Sequence, residues 1–329
     1  MGEGLLVISR TPFRISFFGG GTDYPSWYLQ HGGAVLATTI DKYCYLTCRH
    51  LPPFFSCKYH IVWSKIETCQ SIDEILHPVV REVLRYLGVD VGLSVHHQGD
   101  LPARSGIGSS SAFTVGIMHA LYALQGQMVD KLKLAQESIY IEREVLKETV
   151  GSQDQISVAC GGFNHVTFSQ SGEINIMPLT IKNERIRDLN NHLMLFYTGI
   201  ERTAADIAQS YVHDIQSKSH QLNLMTEMVN ESISILNSEE DLTRFGKLLG
   251  EAWKLKRSLS TQVSSTIIDQ LYDLAISAGA VGGKITGAGG GGFLLVFAEP
   301  GKHENIKENL KKLIHVPFQF EFSGSQIIF

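Results

Sequence analysis

The residues best equipped for chemistry stand in Pro102-Ala103-Arg104-Ser105-Gly106-Ile107-Gly108-Ser109-Ser110-Ser111, which runs straight into an apolar stretch from Ala112 to Leu124. If that stretch is a helix, its N-terminus offers unpaired N–H groups and about half a positive charge, and the glycines let a phosphate chain come against the backbone. The serine hydroxyls can cap the helix, bond phosphate oxygens or ligate Mg²⁺. A plain serine cap would explain an isolated Gly-x-Gly. A proline, two glycines and a serine triplet ahead of a buried helix point instead to phosphate binding. The spacing matches neither Gly-x-x-x-x-Gly-Lys-Ser/Thr nor Gly-x-Gly-x-x-Gly, which sets aside the NTPase loop and a dinucleotide fold.

A base is offered by Asp154. Ser152-Gln153-Asp154-Gln155 has the Ser-x-x-Gln form of a capping box, which predicts a helix with Ser152 as N-cap and Asp154 in its first turn. A carboxylate there can accept a hydrogen bond from a substrate hydroxyl. That suffices for phosphoryl transfer, whose loose transition state asks mainly for positioning and charge stabilisation. Taken alone, an aspartate that merely starts a helix is an equal reading. Glu142, among Glu137, Glu144 and Glu148, reads as part of a solvated helix face unless something else singles it out.

These groups need elements to hold them, and glycine marks where the chain must turn or approach something closely. The 31 glycines bunch at Gly19-Gly20-Gly21, at Gly106 and Gly108, and from Gly282-Gly283 to Gly287-Ala288-Gly289-Gly290-Gly291-Gly292. Val91, Leu93 and Val95 alternate with polar residues as in a strand, so the second cluster joins a strand to a buried helix. Around the third, Ile267, Ile268, Leu271, Leu274 and Ala275 form a helical stripe, followed by Lys284-Ile285-Thr286, the glycine run and Phe293 to Phe297. That order reads helix, strand, glycine turn, strand. Lys131 to Lys147 is predicted helical, Phe163 to Phe168 with Glu173 to Ile176 a hairpin, and His192 to Tyr197 a strand. A helix around residues 302–314 and a strand over Phe318–Phe322 close the chain. The polar, patternless Asn183 to Asn191 suggests a boundary, with one domain over residues 1–183 and another over 184–329. Interleaved strands and helices make an α+β layered fold.

Composition bounds the function. In 329 residues, 28 lysines and arginines face 33 aspartates and glutamates, a formal charge of −5, and 43 % are hydrophobic. At roughly 150 residues per domain this is about two domains with real cores. A mild negative balance attracts neither nucleic acid nor anionic lipid, so phosphate binding must be local. No apolar run approaches the roughly 20 residues of a membrane helix, no cationic leader opens the chain, and Leu6 stands where myristoylation needs Ser or Thr, so the expectation is a cytoplasmic protein with no membrane or nucleic-acid partner. Five cysteines are an odd number for a disulfide framework. Cys44 and Cys48 flank Leu46 at period two, one face of a strand rather than a zinc pair.

Together and in this order, along nearly the whole chain, the three glycine clusters resemble the motifs of the GHMP kinases, the family of galactokinase, homoserine kinase, mevalonate kinase and phosphomevalonate kinase. Arg10-Thr11-Pro12-Phe13-Arg14 through Thr22-Asp23-Tyr24 resembles the first motif, Pro102 to Ser110 the second, with Ile107 for Leu and Ser111 for Ala, and Lys284 to Gly289 the third, Lys-x-Thr-Gly-Ala-Gly. The resemblance implies a GHMP kinase fold: an N-terminal domain like the second domain of ribosomal protein S5, a ferredoxin-like C-terminal domain, and a site in the cleft. It implies ATP and Mg²⁺, with Pro102, Arg104, Gly106, Ile107, Gly108, Ser109, Ser110 and Ser111 on the ATP phosphates. Ser110 and Glu142 would ligate the metal, Asp154 would act as base, and Arg14 would stabilise the transferring phosphoryl group. Gly20, Gly21, Thr22, Asp23, Gly287 and Gly289 would meet the sugar.

Where galactokinases have Gly-Glu-His-Thr-Asp-Tyr this chain has Gly19-Gly20-Gly21-Thr22-Asp23-Tyr24, so the acid and imidazole that hold galactose hydroxyls are gone and a different sugar is expected. The chain looks most like the branch that phosphorylates D-glycero-D-manno-heptose 7-phosphate at the anomeric oxygen, and next most like the kinase half of fucokinase. A phosphorylated acceptor asks for a cation, and Arg104, Lys42, Arg49, Lys254 and Lys256 all stand available. A non-catalytic sugar- and ATP-binding regulator on the same fold is the alternative of another class. The resemblance leaves a homodimer open.

Overall fold

The computed structural model describes residues 6–201 and 204–329, so the reading of the first five residues falls outside the described residues. The first half runs β1 (Leu6–Phe18), α1 (Pro25–His31), β2 (Gly33–His50), β3 (Tyr59–Val62), β4 (Ile66–Cys69), α2 (Pro78–Tyr86), β5 (Leu93–Gly99), α3 (Ser109–Leu124), α4 (Lys131–Tyr140), α5 (Gln153–Cys160), β6 (Phe163–Phe168) and β7 (Ile174–Pro178). The second half runs α6 (Asn183–His192), β8 (Leu193–Tyr197), α7 (Ala204–Val212), α8 (Ser219–Asn237), α9 (Thr243–Arg257), α10 (Thr266–Ser277), β9 (Gly282–Ile285) and β10 (Phe293–Phe297). It ends with α11 (His303–Asn309) and the short strands β11 (Ile314–His315), β12 (Phe320–Glu321) and β13 (Gln326–Ile327).

The larger sheet follows the path β13-β1-β2-β5-β3-β4, with β12 and β6 also on the long β2 and β7 on β6. β1 and β2 pair from Leu6↔Arg49 to Phe18↔Leu36, and the register slips at Pro12/Phe13 and again at Ser16/Phe18. Pro12 has no N–H for the ladder, so a slip beside it is where a strand tolerates proline. Cys44 and Cys48 are buried on β2, and burial pushes both thiols up, Cys48 to about 12, as for apolar core residues.

α3 lies across β1 and β2 with α4 and α5 on its other side, which is why nearly every residue from Ser111 to Leu124 is buried. The second sheet, β11-β8-β10-β9, is antiparallel throughout. Every residue of β10 is buried. Phe293, Leu295 and Phe297 join the large core beneath the first sheet, while Leu294 and Val296 join a second core with Trp253, Ile268 and Met194. A strand covered on both faces reads as a continuous apolar run for this reason.

Some expectations meet a different structure. Asn183–His192 is helical although its sequence shows no periodic apolar face. Its contacts are long-range: Arg185 donates to the carbonyls of Ile235 and Glu240, and Asn190 bonds the backbone of Phe318 and Phe320. The closing segment does not extend the second sheet. Phe320 pairs with Ile40 and Gln326 with Arg10, so the chain from Phe318 onward returns to the first sheet, and α11 stops at Asn309.

Candidate active site

The loop between β5 and α3 is drawn tight by its own polar groups. Ser105 Oγ donates to Pro102 O at 2.6 Å, and the Arg104 amide donates to Ser109 Oγ at 3.2 Å. Gly108 is the N-cap of α3 with φ 73° and no side-chain cap, so the first N–H groups of the helix stay open. The glycines are also needed from below. A methyl on Gly106, at φ +77°, would lie 2.5 Å from Thr286 O. One on Gly287 would lie 2.7 Å from Gly106 Cα. The third glycine run is therefore the bed on which the phosphate-type loop rests.

Arg14 reaches this loop from β1. Its amide donates to Ile107 O at 3.0 Å and its Nη1 to Gly106 O at 2.7 Å. The rest of the guanidinium grips Asp154 in a two-pronged pair, Nε to Oδ1 at 2.7 Å and Nη2 to Oδ2 at 2.6 Å. Arg14 is buried and Asp154 is 26 % exposed, so the carboxylate keeps an open side beside Gly108. A bidentate pair fixes orientation as well as charge.

Asp154 does lie in the first turn of α5, but the expected capping box does not form. Ser152 makes no side-chain cap, its Oγ accepts from Arg143 at 3.4 Å, and Gln155 turns instead to Glu142. Asp23 takes the cap from across the fold. Its Oδ2 accepts from the Gln153 amide at 3.4 Å, its Oδ1 from the Gly21 amide at 3.0 Å, and its carbonyl from the Ser152 amide at 3.0 Å. Burial pushes the Asp23 carboxyl up, with Asp154 adding to the rise, while the Gly21 amide and Lys256 oppose it.

Glu142 departs from the solvated-face reading. α4 continues into a π turn over Ile141–Val145, and that widened turn swings Glu142 fully inward against α3. Ser111 Oγ donates to Glu142 Oε2 at 3.1 Å, Gln155 donates to the same oxygen, and Oε1 has no partner among the described residues. Burial pushes this carboxyl up to about 7. Ser110, expected beside Glu142, is exposed, whereas Ser111 faces the carboxylate. Successive helical residues point about 100° apart, so only one of the two can face inward.

Two buried lysines lie within electrostatic reach of Arg14. Lys284 Nζ donates to Ser16 O and Phe17 O, both at 2.9 Å, and burial pushes its pKa well down. Lys256, near the end of α9, donates to Gly287 O at 3.0 Å and reaches Gly20 O at 3.5 Å. Burial lowers it to about 8, with Asp23 holding it up, so it carries its charge at neutral pH. Beside Asp23, the rings of Tyr24 and Tyr211 meet edge-to-face at 6.3 Å.

The structure thus brings together Arg14, Asp154, Asp23, Gly20, Gly21, the 102–111 loop and Glu142. Thr22 is differently employed: its hydroxyl contacts Gly19 O, Ala34 O and the Ala34 amide, pinning the first glycine loop to β2. Gly287 and Gly289 are crowded by Gly106 and Val263, which explains the glycines by packing. Of the offered cations, Lys256 enters the site and Arg104 stays on the loop, whereas Lys42 bonds Asp41, Arg49 covers the Phe55 ring, and Lys254 is exposed. Ser16 and Gln153 also converge here without any signal in the sequence.

Residues 74–162 match the sequence pattern described as the GHMP kinases N terminal domain, and residues 232–315 the one described as GHMP kinases C terminal, together just over half of the chain. The chain is 28 % identical over 317 residues to a D-glycero-alpha-D-manno-heptose 7-phosphate kinase of Campylobacter jejuni, covering 93 % of each. It is 26 % identical to the L-fucokinase/L-fucose-1-P guanylyltransferase of Bacteroides fragilis over 89 % of this chain and 35 % of that longer protein. The fold matches the crystal structure of a D-glycero-D-manno-heptose 1-phosphate kinase from Bacteroides thetaiotaomicron with a TM-score of 0.80 at 24 % identity, covering 98 % of each chain.

Proposed function

Since the chain belongs to the GHMP kinases, ATP-dependent phosphotransferases, we propose that it moves the γ-phosphoryl group of ATP to the anomeric hydroxyl of D-glycero-D-manno-heptose 7-phosphate, giving the 1,7-bisphosphate. The observation that carries the reading is the Arg14–Asp154 pair, set against the glycine loop on one side and the Gly20–Asp23 pocket on the other. The similarity to the Campylobacter jejuni enzyme along the whole chain supports the choice of acceptor.

In this reading the open N–H groups of α3, with Arg104 and Ser109, receive the ATP phosphates. Asp23 and the bare backbone of Gly20 and Gly21 receive the sugar. Asp154 accepts the proton of the anomeric hydroxyl as its oxygen bonds to the γ-phosphorus, and the bond from that phosphorus to the bridging oxygen of ADP breaks. Arg14 holds Asp154 in place and adds positive charge where the transferring group passes. Glu142 with the hydroxyl of Ser111 makes an oxygen-only donor set, and Oε1, unpartnered among the described residues, suits a hard cation such as Mg²⁺. Bound there, Mg²⁺ would neutralise phosphate charge.

ADP release with Mg-ATP, measured across the heptose 7-phosphate, mannose, fucose, galactose and homoserine, tests the proposal. Turnover favouring the heptose phosphate is expected. Activity only on a free sugar overturns the acceptor, and silence on all of them favours a regulator.

A further inference from the structure

At Gly20 several buried polar atoms have more bonding capacity than the protein uses. A methyl built on Gly20 would lie 3.4 Å from Lys256 Nζ, 3.5 Å from Gln153 Nε2 and 3.7 Å from Ser16 Oγ, so all three side chains converge on the space over its Cα. Ser16 Oγ and Gln153 Oε1 are buried with no partner among the described residues. Lys256 is 5 % exposed, and its three N–H donors have one good acceptor, Gly287 O, with Gly20 O at the limit of reach. Lys284 provides the contrast, since two carbonyls at 2.9 Å occupy it from within the fold. Buried polar groups left unpaired are costly and rare, so two of them beside a lysine with spare donors call for a ligand to explain them.

The chemistry of the cluster selects the ligand. Lys256 can only donate, Gln153 turns its donating Nε2 to this space while its accepting Oε1 has no partner among the described residues, and the Asp23 carboxylate lies within electrostatic reach. A phosphate would meet the ammonium and the amide N–H favourably but would be repelled by the Asp23 carboxylate. A hydroxyl both accepts and donates, so it can take a bond from Lys256 or Gln153 Nε2 and give one to Ser16 Oγ without bringing charge against Asp23. The space exists because residue 20 has no side chain.

We propose that Gly20, Ser16, Gln153 and Lys256 form a hydroxyl-recognition subsite of the sugar pocket, in which Lys256 is a specificity-determining residue. This rests on the sugar-kinase reading above. The distal phosphate of a phosphorylated acceptor then lies outside this subsite.

The test uses the heptose 7-phosphate and its monodeoxy analogues with the parent protein, Lys256→Met and Gly20→Ala. Gly20→Ala is compatible with the fold, because its methyl would make ordinary contacts and its φ is not in the left-handed region. In the parent, one deoxy analogue should lose about tenfold or more in kcat/KM, the size expected when a site's buried polar groups are left unpaired. Both variants should lose about tenfold or more on the full acceptor, mainly through KM, and KM for ATP should stay within about twofold. The same deoxy analogue should then carry a penalty of less than about threefold in each variant, since the partner is already gone. Unchanged deoxy penalties in both variants would overturn the subsite, as would a lower melting temperature for Lys256→Met with acceptor KM unaltered, which would make Lys256 a strut between the glycine loops. A parent protein that phosphorylates no sugar overturns the underlying reading and this inference with it.

Discussion

Replacing Asp154 with asparagine separates the chemical role of the carboxylate from its structural one. The carboxylate accepts two bonds from Arg14, at 2.7 and 2.6 Å. An asparagine can offer one oxygen to the fork, but its NH₂ group then faces an N–H of the guanidinium. One charge-assisted bond is lost, worth about 1.5–3 kcal/mol. Breaking a fully buried pair costs about 3–5 kcal/mol, but Asp154 is 26 % exposed and water can attend Arg14 from that side. We therefore expect a stability loss of about 2 kcal/mol, a fall of a few degrees in Tm, from a total of about 5–15 kcal/mol. The variant remains folded at 25 °C, and Nη1 remains on Gly106 O. The loss of a positioned base lowers kcat by about 10²–10⁴-fold, or about 2.7–5.4 kcal/mol of barrier. ADP release at saturating Mg-ATP and acceptor measures this, and calorimetric ATP titration should show an affinity within about twofold of the parent. A kcat within about tenfold, ~1.4 kcal/mol, would refute the assignment of Asp154 as base.

Glu142→Gln should raise the Mg²⁺ concentration for half-maximal activity by about tenfold or more, ~1.4 kcal/mol, and an unchanged Mg²⁺ dependence would remove Glu142 from the metal site. Gly106→Ala forces a left-handed backbone on alanine and a methyl 2.5 Å from Thr286 O, so thermal melting should show a loss of about 2–4 kcal/mol together with weaker ATP binding. Burial lowers His77 and His119 from 6.5 to about 4, so the unfolded chain takes up these protons first and the stability they contribute is present above pH 6.5 and lost as pH falls towards 4. The raised Asp23 and Glu142 oppose this trend, so the test is a difference: between pH 7 and pH 5, His119→Gln should gain about 1–2 kcal/mol relative to the parent in denaturant melts. An unchanged difference would show that His119 does not titrate across that interval.

Much of the scaffold is legible locally. The alternation before residue 95, the apolar run after Ser111 and the glycine turn between Lys284 and Phe293 each specify an element through neighbours a few residues away, and the structure has a strand, a helix and a strand pair at those places. Glycine clustering marks backbone that must come close to something, and it does mark the contact of Gly106 with Gly287. Asp154 could be singled out from the predicted start of its helix, and Arg14 only through the family resemblance of the motif in which it stands.

Other features depend on partners far along the chain. Ser-x-x-Gln names a cap that would be made locally, yet Asp23, more than a hundred residues earlier, takes it because β1 delivers a buried carboxylate to the start of α5. Glu142 resembles its glutamate neighbours in sequence. Only the π turn rotates it inward, and a widened turn carries no periodic signature. Lys256 is one cation among several on its helix, and its burial depends on how α9 packs against the two glycine loops. Sequence alone therefore determined the elements that carry a periodic pattern, the glycine-lined loops and the class of chemistry, because periodicity and backbone freedom are properties of short stretches. Tertiary structure decided which carboxylate caps, which serine meets Glu142 and which lysine enters the pocket, because burial and charge compensation arise only when distant segments meet.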